Sequence, residues 1–193
     1  MNLHGTEPPS PWIQRWSHLV APDSEVLDVA CGAGRHMRWL AALGHRVLGV
    51  DASSAALALA SVHGDTLLAD LENAPWPLPG RTFGAVVVTN YLWRPLWPAL
   101  LDALAPGGVL LYETFALGQE SIGKPSRPEF LLAPGELLQF SKGLRTIAYE
   151  DGFLSGPDRF VQRLAAVREA ASGAPARWPL ATPAAGSTEA GNR

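Results

Sequence analysis

The apolar residues of this chain follow two alternating rhythms. Short, nearly unbroken apolar runs at residues 26–30, 46–51, 65–69, 83–89 and 109–115 read as buried strands. Between them, residues 35–43, 53–62 and 95–104 place apolar side chains at helical spacing, and Gly44 supplies a natural stop to the first. This alternation predicts an α/β fold, a doubly wound parallel sheet. The run 83–89, Phe-Gly-Ala-Val-Val-Val-Thr, has no polar face, as expected of a central strand covered on both sides.

The rhythm changes at both ends. Ser10 reads as an N-cap and Pro11 as the first residue of a helix whose apolar stripe is Trp12, Trp16, Leu19 and Val20. That helix is expected to pack on the sheet edge or over the ligand cleft. Residues 116–132 form a long, polar, Gly- and Pro-rich stretch, read as a mobile loop. A short helix at 134–141 follows, then strands at 144–150 and 160–167 around a turn-rich 151–158, a closing antiparallel hairpin. The expected organisation is a flexible segment at 1–9, one domain at 10–170 and a disordered tail at 171–193, with Trp178 the tail's candidate anchor.

Composition narrows the function classes. A net charge of −3 argues against non-specific nucleic-acid binding, which needs a clustered positive field. A single cysteine, Cys31, excludes an internal disulfide and a cysteine-rich zinc site, and no metal site is expected. No apolar run is long enough to span a bilayer, and no basic-then-apolar leader precedes the domain. A cytoplasmic protein, monomeric or homodimeric, with neither membrane nor nucleic-acid partner, is the expectation.

The candidate chemistry collects at strand ends. Asp28, Gly32, Gly34, Asp51, Asp70 and Asn90 lie at or just past the ends of the first four strands. In open α/β sheets, ligands bind outside those ends, where strand order reverses. Gly32 and Gly34 let the backbone approach a ligand, and the following helix offers free N–H groups. A carboxylate ending the second strand can accept both hydroxyls of a ribose. Asp28 can orient the glycine turn or receive an ammonium group. By themselves these features admit a phosphate, dinucleotide or sulfonium ligand. The third glycine of a dinucleotide fingerprint is here Met37, and no Gly-Lys-Ser/Thr follows the turn. A cofactor without phosphates, with an adenosine and an amino-acid tail, fits better.

Over residues 10–168 the chain resembles the class I S-adenosylmethionine-dependent methyltransferases. Asp28-Val29-Ala30-Cys31-Gly32-Ala33-Gly34 is similar to that family's first motif, Val50-Asp51 to its ribose-binding acid, and Asp70-Leu71 to its adenine-contacting pair. Val88-Thr89-Asn90 is similar to the fourth motif, and 104–108 to the turn before the fifth strand. Gly32-Ala33-Gly34-Arg35-His36 resembles the small tellurite-resistance-type bacterial branch. The resemblance implies a Rossmann-like seven-stranded sheet, mostly parallel with the last strand antiparallel. It implies S-adenosyl-L-methionine as cofactor, held by Asp28, Ala30, Gly32, Gly34, Asp51, Ala52, Asp70, Leu71 and Asn90. Ala30 stands where the family often has glycine, which an ordinary φ would tolerate. The branch points to a soft or anionic acceptor, such as a chalcogen oxyanion or thiol.

Methyl transfer from a sulfonium is an in-line displacement with a neutral leaving group, so positioning dominates and a base is needed only for a protonated nucleophile. Tyr91, Arg94 and His36 are the candidates for the reacting end: Tyr91 as pocket wall, Arg94 as anion binder, His36 as structural donor or base. Trp93 reads as core, and Glu113 and Thr114 are second-tier candidates. Lys124 to Arg127 can form a positively charged lid. Asn90-Tyr91-Leu92-Trp93 lacks the Pro-Pro-aromatic run of amino-methylating nucleic-acid enzymes. A small-molecule acceptor is therefore expected. The rivals are a protein- or RNA-methylating enzyme, a non-catalytic cofactor-binding protein, and a nucleotide-dependent oxidoreductase.

Overall fold

A computed structural model describes residues 7–171 and 176–181. Its elements, in chain order, are α1 (Pro11–Trp16), β1 (Glu25–Val29), α2 (Arg35–Ala42), β2 (Arg46–Asp51), α3 (Ser54–Ala60) and β3 (Asp65–Leu68). There follow β4 (Phe83–Thr89), α4 (Trp97–Asp102), β5 (Leu104–Phe115), α5 (Glu136–Phe140), β6 (Arg145–Leu154) and β7 (Arg159–Val167). One seven-stranded sheet has the order β3-β2-β1-β4-β5-β7-β6. β1 to β5 pair in parallel, and β7 lies antiparallel between β5 and β6. This is the expected Rossmann-like architecture. The order reverses between β1 and β4, which places the ligand crevice above their carboxyl ends.

Strand alternation splits the core in two. Leu27, Val29, Val86, Val88, Leu110 and Tyr112 face the layer holding α4 and α5. Val26, Ala85, Val87, Val109 and Leu111 face α1 to α3, where Trp12, Trp16, Met37 and Leu40 are buried. β4 is the central strand and is buried along nearly its whole length, because both faces are covered. Ser10 caps α1 as predicted, its hydroxyl accepting from the Trp12 N–H.

Three boundaries differ from the sequence reading. The turn at 105–108 lies within β5 as an irregularity: Phe83 pairs with Leu104 and Ala85 with Val109. Gly107 makes this possible at φ +81°, and the Gly107 N–H and the Gly108 carbonyl bond to Arg168. The hairpin strands run further than their apolar residues, because β6 continues through Asp151 and Gly152 in register with β7. Ladder pairing needs only backbone, so it carries on past the hydrophobic pattern. The 116–132 stretch is compact, with 3-10 turns at Gln119–Ser121 and Pro128–Phe130 and Leu132 donating to the Phe115 carbonyl. At the termini, the carbonyl of Pro9 accepts from Gln14 and that of Glu7 from Arg38. Trp178 packs half-buried against the α1-side core. The rest of the expected flexible start and tail, at 1–6, 172–175 and 182–193, lies outside the described residues.

Candidate functional site

A cavity of about 910 Å³ opens at the crevice. One side is formed by Ala30, Cys31, Gly32, Arg35, Asp51, Ser53 and Ala56. Thr89 and Asn90 lie at the end of β4, and Phe115, Lys124 to Arg127 and Phe130 close the other side. Residues of the 116–132 loop thus line the cavity opposite the glycine turn. A neighbouring cavity of about 260 Å³ shares Asn90, Phe115, Pro125 and Phe130 and adds Tyr91 and Glu72.

The floor is the glycine turn. Gly32 and Gly34 have φ of +55° and +81°, backbone that glycine adopts without strain. Asp51 locks this turn to β2: one carboxylate oxygen accepts from the Gly32 N–H at 2.8 Å and the other from the Ser53 N–H at 2.8 Å. A carboxylate offers about four lone-pair positions, so acceptor capacity remains on the cavity side. Met37, in place of a third glycine, is fully buried. Its sulfur fills the space beside Gly49, where an added Cβ would sit 2.4 Å away.

Ala30 departs from expectation. Its φ is +54°, in the left-handed region, so this alanine carries strain of about 1–2 kcal/mol that a glycine would avoid. Asn90 has the same φ of +54°, which asparagine accepts more readily.

Asp28 lies under the turn, 1% exposed and outside the cavity wall. Neither carboxylate oxygen meets hydrogen-bond geometry with a described residue. Burial pushes its pKa up to about 7, with the Arg35 guanidinium offsetting only part of that.

His36 borders the cavity, but the geometry does not suit it as a base. Its Nε2 accepts from the Ser10 N–H at 3.1 Å, so Nδ1 carries the proton and faces Thr89 Oγ1 at 3.3 Å. Burial, with Arg35 nearby, pulls its pKa down to about 3. It is a neutral brace between the N-terminal segment, α2 and β4.

Arg94 is likewise committed elsewhere, which corrects its reading as an anion binder. Its Nε and Nη2 donate to the Glu136 carboxylate at 2.5 and 2.8 Å, and Nη1 and Nη2 donate to the carbonyls of Glu129 and Leu131. It pins the end of the roof loop to α5. Glu113 also points away from the cavity, into an ion cluster behind β5. There it accepts from Ser10 Oγ at 3.0 Å and lies 3.6 and 3.8 Å from Arg163 and Arg159.

Of the sequence candidates, the fold brings Ala30, Gly32, His36, Asp51 and Asn90 to one cavity and Tyr91 to its neighbour. Gly34, Ala52, Asp70 and Leu71 do not line it. Leu71 is core, and the Asp70 carboxylate accepts from the Glu72 and Asn73 N–H groups at 3.0 Å, capping the turn after β3. The sequence reading missed Phe115, Phe130 and Glu7 as wall residues. Phe115 ends an apolar strand, which was a usable signal, whereas Phe130 and Glu7 arrive through loop paths that no periodicity records.

Residues 26–108 match the sequence model of a family described as a methyltransferase domain. No curated protein matched the sequence. Among solved structures, the chain is similar to TehB from Haemophilus influenzae, with TM-score 0.64 and 20% identity over 79% of this chain and 60% of that one. It thus spans less than two thirds of the Haemophilus protein. A methyltransferase from Methanosarcina mazei superposes with TM-score 0.64 at 17% identity, over 85% of this chain and 100% of that one. One from Mesorhizobium loti gives 0.62 at 20% identity, over 79% and 97%. Strand order and the glycine turn agree with that match: residues 26–108 resemble a methyltransferase domain, and the chain has the fold of these solved methyltransferases.

Proposed function

We propose that the protein transfers the methyl group of S-adenosylmethionine to a small-molecule acceptor. One observation carries this reading: the glycine turn and Asp51 share a single cavity with a roof made by the chain's own 116–132 loop. A roof placed there leaves room for a compact acceptor and obstructs a folded macromolecule. Pockets for small ligands span about 300–1,000 Å³, so a cavity of this size can hold cofactor and acceptor together.

The residues present fit the cofactor. Asp51 would take the ribose hydroxyls with its remaining lone pairs, while its bonds to Gly32 and Ser53 hold it in place. Gly32, Gly34 and Ala30 would carry the backbone past the amino-acid tail, with Asn90 near its ammonium group and Asp28 buried beneath the turn. When bound, the cofactor supplies an electrophilic methyl on a sulfonium. The chain's share is alignment and water exclusion, with Phe115, Pro125 and Phe130 shielding the reacting end. Tyr91 would wall the acceptor, and His36 would fix the floor without moving a proton.

Calorimetric titration tests the reading. S-adenosylmethionine and its demethylated product should bind and NAD should not; NAD binding with no affinity for the methyl donor would overturn it. Asp51→Ala should weaken cofactor affinity by ~1–3 kcal/mol through lost charge-assisted hydrogen bonds. A screen following the demethylated product should show turnover with a small acceptor. Turnover with protein or RNA alone would refute the small-molecule assignment.

A further inference from the structure

The two sides of the cavity differ in charge. On the glycine-turn side the charged wall residues are Arg35, Asp51 and, from the N-terminal segment, Glu7, beside the neutral His36 and Cys31. On the loop side they are Lys124 and Arg127, with no carboxylate on that wall and with Phe115, Pro125 and Phe130 around them. Arg127 is paired with Glu129, and its guanidinium lies 5.2 Å from the Phe130 ring centre. No ion pair or hydrogen bond engages the Lys124 ammonium among the described residues. The apolar wall of Phe115, Pro125 and Phe130 continues into the neighbouring cavity, where the Tyr91 hydroxyl is buried without a partner among the described residues. The carboxylate at that far end is Glu72, so a bound anion belongs at the Lys124 end.

Resting on the methyltransferase reading, we propose that the acceptor is a small aromatic acid. Its carboxylate lies at Lys124 and its ring against Phe115 and Phe130. An unpaired ammonium on a partly enclosed wall favours an anion, and charge-assisted hydrogen bonds are about twice as strong as neutral ones. Aromatic side chains beside it favour a flat apolar body. The positive charge of the methyl donor, on the opposite side, acts in the same direction. An inorganic oxyanion would satisfy Lys124 but leave the Phe115 and Phe130 faces unused.

The test uses the full chain saturated with S-adenosylhomocysteine and titrated with benzoate, benzamide, benzylamine and inorganic phosphate. Benzoate should bind roughly tenfold more tightly than benzamide, the scale of one charge-assisted contact. Lys124→Met should remove most of that preference without altering affinity for S-adenosylhomocysteine, and Phe130→Ala should weaken benzoate and benzamide alike. Benzylamine binding as well as benzoate, phosphate matching benzoate, or a preference that survives Lys124→Met would each overturn the proposal. Saturation with S-adenosylhomocysteine is measured first. Failure at that step overturns the methyltransferase reading itself, whereas success there without a benzoate preference overturns only the aromatic acid.

Discussion

Asp28 and Ala30 sit two residues apart at the end of β1, and both are worse for stability than their nearest alternatives. Unfolded, Asp28 ionises near its ordinary pKa; folded, burial keeps it protonated up to about pH 7. Between those values the unfolded state binds fewer protons. Asp28 therefore subtracts stability as pH rises from about 4 to about 7, and the loss is complete above that. Asp28→Asn, neutral at every pH, should be ~1–3 kcal/mol more stable than the parent at pH 8, the gain fading towards pH 4. Urea denaturation at the two pH values measures this, and an equal stability at pH 8 would show that the carboxylate is paired. Strain at Ala30 and a carboxyl buried at Asp28 fit a floor shaped for a ligand, since functional sites commonly hold such costs. His36 shows the opposite adjustment. With its pKa lowered, its stabilising effect is present above pH 6.5 and lost as pH falls towards about 3.

At the scale of elements, one side chain from outside the roof loop pins its end. Arg94 leaves the 3-10 turn before α4 and ties the Glu129 and Leu131 carbonyls to the first residue of α5. Arg94→Met should lower global stability by only ~1–2 kcal/mol, because the ion pair is partly solvated. It should also speed proteolytic cleavage within 116–132 several-fold, with cofactor affinity unchanged. Limited proteolysis with and without S-adenosylhomocysteine checks this; unchanged cleavage would mean that the loop is held by its own turns. The loop's length and polarity marked it in the sequence as a lid. Its pin did not show there, because Arg94 and Glu136 are distant in sequence and each reads alone as a surface charge.

Across the molecule, a polar chain crosses the sheet edge behind the site. Thr89, His36 and Ser10 connect to Glu113, and Glu113 to Arg163, which also pairs with Glu150. Glu113 and Arg163 are cross-strand partners in β5 and β7, and so are Glu150 and Arg163 in β6 and β7. The Arg163 guanidinium also stacks 4.9 Å from the Trp12 ring centre, binding α1 to the same cluster. Removing one member of a buried pair strands the other, so Glu113→Gln should destabilise the protein by ~2–4 kcal/mol while leaving the folded cofactor site intact. Chemical denaturation and calorimetry separate the two. A loss of cofactor affinity at full stability would put Glu113 in the site after all.

The sequence by itself determined the sheet, its closing hairpin, the glycine turn and the strand-end acids. Each of these is written locally, as a period, a turn residue or a position just after an apolar run. The tertiary structure decided what the polar residues do. Only pairing across the sheet turned Glu113 from a site candidate into a buried ion partner. Only the loop's return to β5 brought Phe130 and Lys124 over the cavity, and only the packing of the N-terminal segment gave His36 a donor at Nε2. Apolar burial is cumulative and tolerant, so its pattern survives reading residue by residue. A hydrogen bond or ion pair depends on a partner a few ångströms away, and the fold alone supplies that partner.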